Sequence, residues 1–395
     1  TMHLPPINKL DPQQQAFLDR VSTFVDNSGP SFRNQWIQGF AGSGKSVLLA
    51  YSAKTILSKK PNSKILVVVF TQSLVEMFKS DFKALGIESK LRIETFYGFM
   101  SNSNQYDYIL CDEVQDLPSR VIAAMNSRCS CVIVAGDSNQ SIYTSDPRWN
   151  EPTVTPSEIG RLINGETYEL GVIHRLSRSI IDAVQRFLPR MNIFSAKRDM
   201  TKEDTQIRLC EASSEAKEVN YIMEQAKKAI NVGQSTAVLI PTQLKISQFA
   251  NMALRDAVKP EWTQTANSYG KVDFGALNSH LHMYGIKMQY VGNGYGRFDE
   301  SNPLITIMTF HSAKGLDFDN VFIPFANASM HISPNDSLAK TLFMVAMTRA
   351  RKTLYMTYHG YPSDYLDAFK ASCSKIDISS KITPPISGGN NPWGF

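Results

Sequence analysis

Trp36–Leu49 reads WIQGFAGSGKSVLL: the apolar end of a strand, a glycine-rich turn, then the start of an apolar helix. Gly39, four residues, then Gly44-Lys45-Ser46 fits the spacing G-x-x-x-x-G-K-[ST]. The spacing has a physical cause. Backbone N–H groups of a glycine-rich turn can converge on phosphate oxygens, and the helix N-terminus behind them adds partial positive charge. Gly39, Gly42 and Gly44 are expected to form the cradle. Lys45 is expected to reach the β- and γ-phosphates of ATP, and Ser46 to ligate Mg²⁺.

A second stretch completes this chemistry. YDYILCDEVQDLP (Tyr106–Pro118) is an apolar run that ends in carboxylates. In a strand-helix-strand unit that starts with the phosphate turn, Asp112 is placed to hold Mg²⁺ and Glu113 to orient and deprotonate a water. CVIVAGDSNQSIY (Cys131–Tyr143) is a further buried strand with a polar turn and Gln140 at its end. Three strand ends then bring Lys45, Asp112 with Glu113, and Gln140 to one edge of a parallel sheet, where open α/β sheets bind ligands.

Composition sets the frame. The chain has 395 residues, 43% hydrophobic and 19% charged, with net charge +5, enough for two or three domains and permissive of a polyanionic partner. Its longest clear apolar run, ILVVVF (Ile65–Phe70), is strand-sized, so no membrane segment is expected. The opening lacks a basic segment followed by an apolar one, and the five cysteines form no framework; both suit a cytoplasmic protein. Cys129 and Cys131 alternate in a strand and have no second pair at metal-ligand spacing. The HLH at 280–282 reads as a partly exposed segment.

The second half repeats the α/β alternation. AVLIPTQ (Ala237–Gln243), LITIMTF (Leu304–Phe310) and NVFIPFA (Asn320–Ala326) are predicted strands. SEAKEVNYIMEQAKKAI and DSLAKTLFMVAMTRARKTL are predicted helices. This half has no phosphate turn of its own, but it carries His311, Ser312, Lys314 and Gly315 after a strand, and Arg175, Arg349 and Arg351.

In order, these segments resemble the motifs of UvrD/Rep-type superfamily 1 helicases over about residues 10 to 358. LDPQQQAFL resembles the Q motif, GFAGSGKS motif I, VFTQSLVEMF motif Ia, and ETFYGF the DNA-contacting motif after it. DEVQD resembles motif II, GDSNQSIY motif III, ELGVIHRLSRSII motif IV, IMTFHSAKGLDFDNVFIP motif V and FMVAMTRARKTL motif VI. The resemblance implies two tandem RecA-like P-loop NTPase domains with parallel sheets and an ATP site in the cleft between them. The expected division is 1–168, 169–380 and a flexible tail, 381–395.

Residue by residue, the resemblance gives Gln14 the adenine-reading place and Arg175 and Arg349 the role of fingers reaching the γ-phosphate. It gives Gln140 phosphate sensing, and Gly315 and Asp317 a place near the nucleotide sugar. His174 stands where an adenine-stacking Tyr is usual. Single-stranded DNA is the implied partner, with RNA left open and 3′-to-5′ translocation expected. Phe70, Thr71, Phe96, Tyr97, Tyr143, Trp149 and His311 are its candidate contacts.

Relatives insert large accessory subdomains ahead of motifs II and V. Here only MSNSNQ (Met100–Gln105) precedes the motif II strand, and YVGNGYGRFDESNPLITIMTF passes almost directly into motif V. This shortness implies weak unwinding, or unwinding that depends on a protein partner or a second copy. The different-class alternative is an ATP-gated regulatory or binding subunit of a larger complex.

Overall fold

The computed structural model describes residues 4–26, 34–40, 42–137, 150–174, 176–190, 197–198, 203–298 and 302–379. The chain opens with α1 (Pro12–Asp26), β1 (Asn34–Gly39), α2 (Lys45–Lys59), β2 (Ile65–Val69), α3 (Gln72–Ala84) and β3 (Arg92–Thr95). It continues with α4 (Phe96–Met100), β4 (Tyr106–Cys111), α5 (Ser119–Ser127), β5 (Cys129–Gly136), α6 (Pro156–Leu162) and β6 (Gly165–Leu170). These six strands form one wholly parallel sheet in the order β3-β2-β4-β5-β1-β6. Helices cover both faces, so central strands such as β2, ILVVV, are buried throughout.

After the short pair β7 (Val172–Ile173) and β8 (Lys197–Arg198), with α7 (Arg178–Phe187) between them, comes the second sheet. Its elements are β9 (Gln206–Ala212), α8 (Glu215–Asn231), β10 (Thr236–Ile240), α9 (Gln243–Asp256), α10 (Phe274–Met283) and β11 (Met288–Tyr290). Then follow β12 (Ile305–Thr309), β13 (Phe318–Ile323), α11 (Asp336–Met347), β14 (Ala350–His359) and β15 (Ser374–Asp377). The seven strands are again all parallel, in the order β11-β12-β10-β13-β14-β9-β15. The fold is therefore the expected pair of parallel α/β sheets. No helix among the described residues is long and apolar enough to cross a membrane.

One predicted helix is corrected. DSLAKTLFMVAMTRARKTL is helical only to Met347, and Ala350–His359 is a strand. ARKTLYMTYH carries the β-branched and aromatic residues that favour a pleated, buried position, and β14 is paired on both sides, by β13 and β9. The connector ahead of β4 is as short as the sequence suggested. Helix α4 ends at Met100 and β4 begins at Tyr106.

The helix starts explain how the site is placed. Asp11 and Gln14 cap α1 reciprocally: the Asp11 carboxylate accepts from the Gln14 N–H at 2.8 Å, and the Gln14 amide oxygen accepts from the Asp11 N–H at 3.0 Å. Pro12 occupies the first helical position, where no N–H is needed. Helix α2 begins at Lys45, directly after Gly44 in the left-handed conformation (φ 89°).

The two halves share apolar contacts. One buried cluster runs from Leu48 and Leu74 in the first to Ala313, Leu316 and Phe343 in the second. Gly315 (φ 81°) lies against α3; a Cβ there would come within 2.7 Å of Leu74 Cδ2.

Asp81, on α3, is buried, and its Oδ2 has no hydrogen-bond partner among the described residues. Burial, with the Asp317 carboxylate adding to it, raises its carboxyl to about 7. An unfolded Asp titrates near about 3.9. Between those values the folded chain keeps a proton that the unfolded chain has lost, so stability falls as pH rises through that window. Asp81→Asn should raise the thermal midpoint at pH 8, and the gain should vanish towards pH 4.

Candidate nucleotide site and domain interface

The first sheet places β4, β5 and β1 side by side, so three neighbouring carboxyl ends converge. The phosphate turn leaves β1, Asp112 and Glu113 leave β4, and Asp137 leaves β5. In the turn, Gly42 and Gly44 have φ of 80° and 89°, which only glycine adopts readily. Lys45 is folded over the turn, with Nζ at 2.8 and 2.9 Å from the carbonyls of Gly39 and Phe40. Gln14 Nε2 donates to the Ser43 carbonyl at 3.1 Å and fills the space beside Gly44. Gln14 thus ties the start of α1 to the phosphate turn.

Ser46 Oγ donates to Asp112 Oδ2 at 2.5 Å. Burial and the adjacent Glu113 raise the Asp112 carboxyl, against the Ser46 hydroxyl, the Lys45 ammonium and the Glu113 N–H. Glu113 sits in the left-handed region (φ 53°), a conformation with a steric cost for a non-glycine residue. Burial pushes Glu113 up as well, but Lys314, Lys45, the Gln115 amide and Arg349 outweigh it and hold the carboxyl below its ordinary value.

The sequence named Lys314 without anticipating its partners. In the structure its side chain leaves the second sheet and enters the first domain's acidic turn. The ammonium is buried, forms an ion pair with Asp116 and lies 3.5 Å from Glu113 Oε2. Burial lowers its affinity for the proton, but Asp116, Glu113 and Asp137 more than restore it. The route there follows from topology. Strands β12 and β13 both run parallel to β10, so Phe310–Asp317 must return across the sheet to begin β13. Lys314 lies within that return segment. Burial, with the nearby Lys314 ammonium adding to it, depresses the His311 imidazole.

Arg349 is brought to the same interface. It is almost wholly buried and donates to the Val345 and Leu316 carbonyls at 2.8 and 3.1 Å and to Thr348 Oγ1 at 2.8 Å. Asp317 is buried 3.9 Å from Arg351 Nη1. His174 holds two partners at the phosphate turn: its Nε2 is 2.5 Å from Asp11 Oδ2, and its N–H donates to the Gly42 carbonyl at 2.9 Å. Its ring is therefore engaged with Asp11 at the start of α1. Gln140, Tyr143, Trp149 and Arg175 lie outside the described residues, as does the tail with Trp393 and Phe395.

The aromatic candidates divide. Phe96 is fully buried and belongs to the core with Val68, Phe99 and Ile109, which corrects its reading as a nucleic-acid contact. It supports two half-buried rings instead: Phe70 at 5.0 Å and Tyr97 at 3.9 Å between centroids. Thr71, also half-buried, caps α3 by accepting from the Leu74 N–H at 3.3 Å.

Two family models match the chain. The model for the viral superfamily 1 RNA helicase core domain matches residues 35–221, and that for the UvrD-like helicase C-terminal domain matches residues 286–361. Both matches are to helicase domains, one in each half of the chain, and together they support a superfamily 1 helicase core. No curated protein matches it. Among solved structures, the PRRSV helicase is similar at 14% identity and TM-score 0.43, over 86% of this chain and 54% of that one. This chain thus spans about half the length of that helicase. The C-terminal domain of a possible DNA helicase from Lactobacillus plantarum WCFS1 is similar at 17% identity and TM-score 0.34, over 51% of this chain and 98% of that one.

The division among the aromatics is open to a simple test. Phe96→Ala should lower the unfolding free energy by about 3–5 kcal/mol in urea denaturation. Tyr97→Ala, which removes a half-exposed ring, should cost clearly less.

Proposed function

We propose that this chain is an ATP-hydrolysing motor that tracks along single-stranded nucleic acid, DNA in the first instance, from 3′ to 5′. We take the two sheets as its two motor domains, dividing near the end of β6, with ATP bound between them. The observation that carries the reading is the cluster around Glu113: a phosphate turn, a Ser-Asp oxygen pair and a carboxylate held ionised by an ammonium from the other sheet.

The residues fit a magnesium nucleotide. Ser46 Oγ and Asp112 Oδ2 are adjacent hard oxygen donors, and Mg²⁺ is commonly held by one or two protein oxygens, with phosphate and water completing its shell. The ion would neutralise phosphate charge. The remaining work falls to the chain. The turn's N–H groups and Lys45 bind the phosphates. Glu113 accepts the proton of the attacking water, for which its low proton affinity keeps it ionised. Arg349, with Arg175 from the segment before α7, supplies positive charge as the phosphoryl group leaves.

Phe70 and Tyr97 present half-buried rings at the carboxyl ends of β2 and β3, a platform on which unpaired bases can stack whatever their sequence. The short connector ahead of β4 removes a grip that relatives use on duplex. Unwinding by the chain alone is therefore weak, and a partner or a second copy supplies the rest. RNA is the second reading, favoured by the match of residues 35–221 to a viral RNA helicase core.

Steady-state ATPase assays with single-stranded DNA, single-stranded RNA and duplex test this directly. Single strands should stimulate turnover, and chelating Mg²⁺ should abolish it. Lys45→Ala should lose turnover and ATP affinity together. Glu113→Gln should keep ATP binding and lose hydrolysis by about a hundredfold or more. Hydrolysis by Glu113→Gln at the parent rate would remove Glu113 as the base. Phe70→Ala or Tyr97→Ala should weaken single-strand binding by about 1–3 kcal/mol per lost stack.

A further inference from the structure

Gln115 is fully buried two residues beyond Glu113, and both ends of its amide are committed. Its Oε1 accepts from the Asp137 N–H at 3.1 Å, and its Nε2 donates to Glu113 Oε2 at 2.6 Å. The orientation is forced. A backbone N–H can only donate, so the oxygen of the amide must face Asp137 and the NH₂ must face Glu113. Position 136 is shaped to admit this amide. A Cβ at Gly136 would lie 2.1 Å from Gln115 Oε1 and 3.1 Å from the Trp36 ring.

The two oxygens of Glu113 are consequently unequal. Oε2 faces Gln115 Nε2 and the Lys314 ammonium, 3.5 Å away. Oε1 has no hydrogen-bond partner among the described residues. We propose that Gln115 is a positioning residue that locks Glu113 Oε2, leaves Oε1 as the proton-accepting oxygen, and ties its aim to the end of β5.

The inference rests on Glu113 being the base, and it adds a mechanical consequence. Asp137 begins the segment that leads to Gln140. Any shift of β5's end moves the N–H that holds Gln115, and Gln115 carries the shift to the carboxylate that activates water. The proton balance is simple: one proton passes from the attacking water to Oε1, while the Nε2–H···Oε2 bond stays intact and stabilises the ionised form before transfer.

The charged and titratable groups around Glu113 come from several elements. They are Lys45 on α2, Asp112 and Cys111 at the end of β4, Asp116 and Asp137, Lys314 between β12 and β13, and Arg349 before β14. Against this background Gln115→Glu is a sharp probe. It keeps the shape and the acceptor towards Asp137, and it replaces the donor towards Glu113 with an acceptor that can carry like charge.

The test is the single-strand-stimulated ATPase of the full chain at neutral pH, with kcat and KM measured separately. For Gln115→Glu, kcat should fall about tenfold or more, with KM for ATP held within about threefold. Gln115→Met, which removes the amide without adding charge, should lower kcat with KM again nearly unchanged, and it carries the test if the Glu variant does not fold. A parental kcat, or equal losses in kcat and ATP affinity in the folded variant, would overturn the proposal. Glu113→Gln separates the two readings: if that variant is inactive while the Gln115 variants are parental, Glu113 stays the base and only the positioning role of Gln115 falls.

Discussion

The arrangement depends on one buried ammonium. Lys314 comes from the second sheet, yet its partners Asp116 and Glu113, with Asp137 near, all come from the first. A buried charge tolerates burial only when paired, and removing one partner of such a pair typically costs about 3–5 kcal/mol. The contact therefore works as a constraint in two directions. Where the two halves are together, Lys314 is satisfied and Glu113 is held ionised. Where they separate, water must take over from the carboxylates, and Glu113 loses the cation that depresses it most.

Other features of the interface serve this contact. Parallel pairing makes Phe310–Asp317 cross back over the second sheet, which places Lys314 on a segment between the halves. The glycine after it lets that segment approach α3 at Leu74, where a side chain would collide. In the first domain, the left-handed Glu113 and the buried Gln115 turn the acidic residues of DEVQD in different directions: Asp112 towards Ser46, Asp116 towards Lys314, and Glu113 between Gln115 and Lys314. Within five consecutive residues, one carboxylate thus meets the serine after the phosphate turn, one pairs with the cross-domain ammonium, and one lies between an amide and that ammonium.

Much of this was legible in the sequence because it depends on local spacing. The phosphate turn needs glycines at fixed offsets ahead of a helix, and a carboxylate at the end of an apolar run marks the strand beside it. What was not legible depends on contacts between distant segments. Phe96 and Tyr97 are neighbours in one motif, and nothing local says that the first faces the core and the second the surface. MTRARKTL reads as a continuation of α11 until β13 and β9 are known to flank it. Lys314 is a single charge after a strand, and only the return path of its segment reveals which carboxylates it meets. Gln115 shows no sign in the sequence beyond its place within DEVQD, since its partner just after β5 is set by sheet order.

With Glu113 as the proposed base, pairing across the two sheets through Lys314 holds it ionised and competent. The most direct measurement is nucleic-acid-stimulated turnover by the double variant Lys314→Met, Asp116→Asn, which takes the cation from Glu113 without leaving Asp116 as an unpaired buried charge. The expected result is a folded protein that binds ATP within about threefold of the parent, with kcat lower by about tenfold or more and little stimulation by single strands. Parental kcat with full stimulation would contradict it.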